Sequence, residues 1–385
     1  MRSRSALRRR KTIALLAAIC LCSLPVPYLF FYARNEEPSV EGKLNVASKT
    51  LSFTSVLRGE HCVAYNITRA EKSYLVDGLH PITLASHATA NFFPLIYDQA
   101  SVRLHECNFH FRDKLSLHAV FSPTPFHDVF CPPIVLSPAD VLCSDLSFVY
   151  ARQSVAHLLA PFQIYPINLM RNVARIGARS PFHFVTDIEM VFSKSFATRA
   201  QPVVNLYLNE TVKNALVIRK FEVPLKSTPP RYLGDIAARL RNHTAFEFHH
   251  KFFPLGHTIP GLWHWLRLSK NPQISVYEIP YKSPSWEPQF ILHESAPLNE
   301  EQVPTRHRDQ QVLCWELCRA GYNFLLASHL FNVHKGIKLA ETNLDMAVKR
   351  HQIPLTKPSL KHFVDRIRAQ YGDAFEKKCG RFVID

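Results

Sequence analysis

Two carboxylates separated by one residue, Asp187 and Glu189, are the most direct indication of chemistry in this sequence. They follow residues 182–186 (FHFVT), an apolar run typical of a buried strand. A turn after such a strand can direct both carboxylates at one hard cation, and Mg²⁺ or Mn²⁺ held in this way is how proteins bind a pyrophosphate. Two solvated acids at a strand end are the simpler interpretation, so the pair has to be judged in its structural setting.

The segments around this pair alternate between strand and helix patterns. Residues 80–86 predict a strand and residues 88–97 a helix, because their apolar residues recur at the matching spacings. Such alternation favours an α/β/α sandwich with a largely parallel central sheet. Ligands of such sheets bind beyond the carboxyl ends of the strands, where Asp187 is placed. The other predicted elements are a helix at 166–176, a strand at 215–218, a helix at 309–320 that ends at Gly321, and a strand at 324–333 with a polar middle.

The helix at 166–176 has clear boundary signals. Pro166 suits its first turn and Gly177 suits its end. Its predicted buried stripe is apolar and consists of Ile167, Met170, Val173 and Ala174.

The N-terminus predicts a membrane anchor. Residues 12–32 are apolar and almost uncharged, and six basic residues precede them. A cleaved signal peptide is the competing interpretation, but the run is long for a signal core and no clean small-residue cleavage site follows it. We therefore expect a cytosolic tail at 1–11, a signal anchor at 12–32, a stem at 33–50 and a lumenal domain at 51–385, which is a type II topology of the Golgi kind.

Sequons and cysteines suit a lumenal domain. Asn66, Asn209 and Asn242 each begin an Asn-x-Thr acceptor for N-glycosylation. Of the nine cysteines, two lie in the apolar run, which leaves an odd number and hence at least one that is unpaired or bridges to another chain. Cys314 and Cys318 lack a second Cys or His pair at zinc-site spacing, so we interpret them as structural.

The chain carries a net charge of +15, part of it in the cytosolic tail. A basic lumenal domain favours anionic ligands such as a nucleoside diphosphate or an acidic glycan. DNA is disfavoured, because it would require the other side of the membrane. A generally basic, solvated surface without a specific partner is an equally good interpretation.

The stretch 165–195 around the acid pair resembles glycosyltransferase family 49, and the resemblance extends from about His80 to about Lys338. Five blocks occur in order with plausible spacing, which chance does not readily produce. The matching elements are Tyr165-Pro166-Ile167-Asn168 with Arg171-Asn172 and the acidic strand end, Phe221-Glu222, Trp286-Glu287-Pro288, Glu316-Leu317 with Ala320-Gly321-Tyr322, and residues 331–336 (FNVHKG).

The resemblance implies a GT-A fold and a metal-dependent transfer from a nucleotide-sugar. Asp187 and Glu189 take the place of the family's metal-binding acids, and His334 takes the place of its metal-ligand histidine. Lys335 can meet a donor phosphate as a point charge. Arg171 can do the same, although a solvent-facing helix arginine explains it equally well. The implied cofactor is Mn²⁺ or Mg²⁺, and the implied donor is a UDP-sugar carrying GlcA or another hexose-type unit.

Inversion of configuration, which the resemblance also implies, needs a general base. Asp309 and Glu287 are the two candidates, because an ionised carboxylate accepts the acceptor's hydroxyl proton once it is positioned there. Asp309 falls where the family carries Asn or Asp. It can equally be the N-cap of the following helix.

Two departures from the family pattern affect the acceptor and the metal. The acid pair is Asp-x-Glu where Asp-x-Asp is usual, and residues 303–310 (VPTRHRDQ) lack the expected glycines and aromatic residues. They motivate a second hypothesis, a catalytically inactive lumenal relative that binds glycan or serves as a scaffold for another transferase. Expected partners are thus the nucleotide-sugar, a glycan or glycoprotein acceptor, the membrane, and a homo- or hetero-oligomer.

Overall fold

The structure, a computed structural model, describes residues 51–71, 75, 77–87, 109–123, 130–136 and 164–384. The predicted tail, anchor and stem, together with the predicted helix at 88–97, lie outside these residues. Within the ranges described, no helix combines the length and the apolar composition needed to cross a membrane.

The described residues form thirteen strands and nine helices, numbered here in chain order. The strands are β1 (Leu51–Phe53), β2 (Val56–Arg58), β3 (His61–Thr68), β4 (Ile82–Ala85), β5 (Leu117–Phe121), β6 (Ile134–Leu136), β7 (Phe182–Val185), β8 (Val191–Phe192), β9 (Asn214–Val223), β10 (Phe246–Glu247), β11 (Val276–Ile279), β12 (Gln289–His293) and β13 (Asn323–Lys335). The helices are α1 (Phe109–Lys114), α2 (Ile167–Ile176), α3 (Phe196–Tyr207), α4 (Leu233–Arg241), α5 (Pro254–His257), α6 (Leu262–Leu268), α7 (Gln311–Arg319), α8 (Asn343–Tyr371) and α9 (Glu376–Cys379).

The central sheet has eight strands, and its main path runs β11-β13-β9-β12-β7-β4. Parallel pairs join β13 to β9 and β4 to β7, but β12 runs antiparallel between β7 and β9. The sheet is therefore mixed, and the prediction of a largely parallel sheet is wrong in this respect. The reason is that a short, buried apolar strand has the same sequence pattern in either direction, so β12 carried no signal of its orientation.

Both faces of this sheet are covered, which explains the nearly continuous apolar sequence of its central strands. On β9, Ala215 and Val217 belong to a core shared with α4, α6, α7 and α8. Leu216 and Ile218 point to the opposite face and pack in a second core with α3. Helices thus lie on both sides of the sheet, in the layered arrangement that the sequence predicted.

Two disulfides connect segments that are distant in sequence. Cys62 on β3 is bonded to Cys131, ahead of β6, and Cys318 on α7 is bonded to Cys379 on α9. Cys314 is a free, buried thiol. The structural interpretation of Cys314 and Cys318 and the expectation of an unpaired cysteine are both confirmed.

We expect the Cys318–Cys379 disulfide to contribute substantially to the stability of the C-terminal helices. It joins residues 61 apart, so removing it frees a long loop in the unfolded chain. The double variant Cys318→Ala with Cys379→Ala should lose about 2–4 kcal/mol in free energy of unfolding, measured by urea titration. The control Cys314→Ala keeps the disulfide and should stay within about 1.5 kcal/mol of wild type. Equal losses in both proteins would contradict a specific role of the bond.

Candidate functional site

The candidate site lies at one edge of the central sheet, where the parallel strands end. Asp187 follows β7 by two residues, and the N–H of Thr186 donates to the carbonyl of Ala85 at the end of β4. On the neighbouring parallel pair, His334 of β13 is in register with Glu222 of β9. The position predicted for Asp187, just beyond the end of a buried strand, is thus what the fold shows.

Asp187 is paired with a lysine that the sequence analysis did not single out. The Lys220 ammonium donates to Asp187 Oδ2 at 2.6 Å. Burial acts to raise the pKa of Asp187, but the Lys220 ammonium, together with His87 and Arg171, more than offsets this and holds the pKa well below its usual range. The same ammonium lies 3.5 Å from the ring centroid of Phe248. Asp187 is therefore an anion already in contact with a fixed cation.

Glu189 and His334 form the second part of this edge. His334 Nε2 lies 3.6 Å from Glu189 Oε1. Its other ring nitrogen, Nδ1, lies 3.0 Å from the carbonyl oxygen of Gly336. Since a carbonyl only accepts, Nδ1 carries a proton in this contact, and Nε2 is the ring nitrogen that faces Glu189. A hydrogen bond from one ring nitrogen to a main-chain carbonyl, like that from Nδ1 to Gly336, is one that metal-ligating histidines commonly make.

The side-chain types of Asp187, Glu189 and His334 suit a hard divalent cation. Two carboxylates with one neutral imidazole are acceptable ligands for Mn²⁺, and both carboxylates are partly open to solvent. In the part of the chain that the structure describes, however, no three His, Cys, Asp or Glu side chains lie close enough together to hold a metal ion by themselves. Any cation here would therefore rely on ligands beyond these three, such as phosphate oxygens and water.

A half-buried histidine, His87, links this edge to Arg171 and Asp309. The Nδ1 atom of His87 is 2.8 Å from the hydroxyl of Tyr165. Burial and the Arg171 guanidinium lower the pKa of His87 to about 4. Three carboxylates act on it in the opposite direction, those of Asp187, Asp309 and Glu189. His87 therefore lies within electrostatic reach of both predicted acid groups and is neutral near pH 7.

Arg171 and Asp309 form a largely buried ion pair. Arg171 donates to Asp309 Oδ1 at 3.0 Å, and the N–H of Arg306 donates to Asp309 Oδ2 at 2.8 Å. Only 9% of Arg171 is exposed, so the interpretation of a solvent-facing arginine is wrong. The N-cap interpretation of Asp309 is wrong as well, because α7 begins at Gln311 with Gln310 as its N-cap and without a side-chain cap.

Helix α2 carries Arg171, and the face of this helix that is buried is polar. The predicted boundaries hold, with Pro166 at the N-cap and Gly177 at the C-cap. Of the predicted apolar stripe only Val173 is fully buried. The helix contacts the segment 296–301 through polar side chains instead, because that segment offers main-chain carbonyls. The bonds run from Asn168 to Glu300 O, from Asn172 to Asn299 O, and from Arg175 to Pro297 O and Ala296 O.

Glu287 lies in a separate histidine cluster on the far side of Phe248. Its Oε1 is 3.1 Å from His257 Nε2, which is 3.1 Å from His249 Nδ1. Burial and the neighbouring His257 lower the pKa of His249 to about 2. The ring of Phe248 stacks on His249 at 3.7 Å and meets His334 edge-on at 5.5 Å. Glu287 is thus connected to His334 only indirectly, through the rings of His257, His249 and Phe248.

The structure brings together most of the predicted site residues and adds others. Lys335, the last residue of β13, lies beside His334 in register with Val223. Lys220 was missed, and Glu222 was noted only as part of a family block. Three charged residues inside an otherwise apolar strand, Arg219, Lys220 and Glu222, were a usable signal, because buried charge needs a partner. Glu222 is fully buried, and its Oε2 accepts the N–H of His249. His87 had no such signal.

Comparisons with known proteins identify the family of this chain. Residues 77–372 match a family model described as "Glycosyl-transferase for dystroglycan". The chain is 25% identical over 191 residues to beta-1,4-glucuronyltransferase 1 of Mus musculus, a match covering 49% of this chain and 45% of that protein. It is 29% identical over 179 residues to the Danio rerio protein of that name, covering 46% and 41%. It is 25% identical over 197 residues to the xylosyl- and glucuronyltransferase LARGE2s of Gallus gallus, covering 48% and 24%. The chain therefore spans less than half the length of these relatives.

We expect His87 to make the folded protein sensitive to acid. In the unfolded chain His87 takes up a proton near pH 6.5, whereas in the folded chain it stays neutral down to about pH 4. Protonation therefore favours the unfolded state as the pH falls through this window. The variant His87→Gln cannot be protonated, so its thermal unfolding midpoint should rise relative to wild type between pH 7 and pH 5.

The matched control is His351→Gln, at an exposed position of α8. Its unfolding midpoint should follow that of wild type at both pH values. If the midpoint of His87→Gln differs from wild type by the same amount at pH 7 and pH 5, His87 is not held neutral by the fold.

Proposed function

Because the chain belongs to this glycosyltransferase family, we propose that it transfers a sugar from a UDP-sugar to a hydroxyl of a glycan acceptor. The observation that carries the proposal is the contact of Glu189 with His334, at the same end of the sheet strands as Asp187. The names of the relatives include glucuronyl and xylosyl transfer. UDP-GlcA and other UDP-hexoses, with UDP-xylose, are therefore the donors to test first.

The metal of this reaction would be held by Asp187, Glu189 and His334. A bound Mn²⁺ or Mg²⁺ supplies positive charge that stabilises the departing diphosphate. The contact of His334 with the Gly336 carbonyl orients the imidazole so that its free nitrogen faces Glu189. Lys335, adjacent to His334, and Arg171 add positive charge for the donor phosphates.

Asp309 is the general base that we propose for inversion. Its carboxylate acts electrostatically on His87, as do those of Asp187 and Glu189, so it belongs to the same neighbourhood. The contacts from Arg171 and the Arg306 N–H fix its orientation, and orientation supplies much of the effect of a general base. In the reaction Asp309 would take the proton of the attacking hydroxyl. Glu287 is the second candidate, with His257 as its fixed neighbour.

The alternative function is a catalytically inactive relative that binds glycan or supports another transferase. The observation that favours it is the Lys220 ammonium on Asp187 Oδ2, an oxygen that the metal would otherwise use. The altered stretch 303–310 points in the same direction. The two functions differ in one measurable respect, since only the enzyme releases UDP in the presence of an acceptor.

We also propose that the chain is a type II membrane protein of the Golgi, with residues 51–385 in the lumen. The disulfides Cys62–Cys131 and Cys318–Cys379 suit an oxidising compartment. All three sequon asparagines, Asn66, Asn209 and Asn242, are exposed on the surface, as glycan attachment requires.

The test of the enzymatic function is UDP release by the purified full chain with a panel of UDP-sugars and glycan acceptors. We expect Mn²⁺-dependent turnover with one donor, and a loss of about a hundredfold or more in the variant Asp187→Asn. Full activity of Asp187→Asn would contradict a role of this carboxylate. If the folded wild-type protein released no UDP with any donor and acceptor of the panel, the catalytically inactive function would be favoured.

The identity of the base is tested by a matched pair of amide variants. Asp309→Asn should lower kcat by about 10²–10⁴-fold, because the amide cannot accept the proton. Glu287→Gln should change kcat by less than about tenfold, because His257 and the Gly256 carbonyl still hold this position. The reverse order of the two losses would assign the base to Glu287. Thermal unfolding of both variants controls for folding.

A further inference from the structure

Lys220 occupies an unusual position for a lysine. It lies within β9, in the buried core of the sheet, and only 10% of its side chain is exposed. Burying an ammonium is costly unless it is paired, and the pairing here comes from Asp187 on one side and from the face of Phe248 on another. The chain thus places a fixed positive charge at the same carboxylate that the proposed metal would use.

We propose that Lys220 is a built-in cation of the donor site, which binds the diphosphate of the nucleotide-sugar beside the metal. As a result the chain keeps part of its affinity for a nucleoside diphosphate when divalent metal is removed. The inference rests on the proposed function, since it concerns how the same site binds its donor.

The Lys220 ammonium has N–H donors left with which it can bind a ligand. A lysine ammonium has three N–H donors. Within the described residues, one of them is used by Asp187 Oδ2, and the Phe248 ring faces the charge from 3.5 Å. A phosphate oxygen that approached Asp187 would therefore find a donor already oriented at this edge.

Charge balance supports the same conclusion. Glu189 follows Asp187 by two residues and both side chains are partly exposed, so a diphosphate would meet at least these two carboxylates. Without a cation this concentration of negative charge would repel the donor. Lys220 is the cation that the fold fixes directly on Asp187, in a partly buried position where bulk salt screens it less than at the surface.

The proposal has a second consequence, which concerns the metal alone. Lys220 and a divalent cation compete for Asp187 Oδ2, so the ammonium weakens binding of free metal. Replacing Lys220 by the uncharged Met should therefore tighten Mn²⁺ binding in the absence of nucleotide. The same variant should make nucleotide binding more dependent on Mn²⁺.

The experiment measures UDP affinity of the full chain by titration calorimetry, with MnCl₂ and with EDTA, for wild type and Lys220→Met. We expect EDTA to weaken UDP binding by wild type only modestly, and to weaken binding by Lys220→Met at least about tenfold more. Mn²⁺ titrated alone should bind Lys220→Met more tightly than wild type. Lys220→Arg retains a charge and should lie closer to wild type in its response to EDTA.

Lys213→Met is the matched control, because Lys213 immediately precedes the opposite end of β9 and donates to the carbonyl of Ala320. It should respond to EDTA as wild type does. An equal EDTA effect in wild type and Lys220→Met would overturn the proposal. Complete loss of UDP binding by wild type in EDTA would also overturn it, even if Lys220→Met fails to fold. Absence of UDP binding by wild type in MnCl₂ would instead count against the proposed function itself.

Discussion

The parallel pairing of β9 with β13 is the constraint on which the rest of the site depends. Between the pairs Leu326–Val217 and Phe331–Arg219, β13 advances five residues while β9 advances two. This irregularity shifts the alternation of side chains along β13, because side chains in a strand change face at every residue. Leu326 faces the same core as Phe331 and Val333, which leaves His334 on the opposite face.

The irregularity therefore determines which residues meet at the strand ends. Lys220 and Glu222 alternate with Phe221 and Val223, which belong to the first core, so they lie on the same face as His334. The polar middle of β13 makes the shift possible. Ser328 accepts the N–H of Ser275, and the N–H of His329 donates to the hydroxyl of Ser269. Buried polar groups that leave the regular ladder are thus satisfied by other partners.

The sequence predicted the elements of this fold better than their arrangement. Residues 166–176 and 182–186 carried strong local signals, namely Pro and Gly at helix ends and a short apolar run, and these signals act within one element. The direction of β12 and the irregularity in β13 depend on contacts between distant segments, which periodicity does not contain. The same limit applies to the site. Asp187 was found because it follows a strand, whereas the position of His87 beside Tyr165 exists only in the folded chain.

The polar face of α2 explains how the acceptor side of such a site can change its sequence and still keep its position. Asn168, Asn172 and Arg175 bond mainly to main-chain carbonyls of the segment 296–301, and every residue type provides a carbonyl. These bonds do not depend on the side chains of the segment, although Glu300 and Glu301 also pair with Arg366 and Arg58. The stretch 303–310, which departs from the family pattern, follows directly after this anchor. Under the proposed function, its side chains are free to adapt to another acceptor, while the Arg171–Asp309 pair holds the proposed base in place.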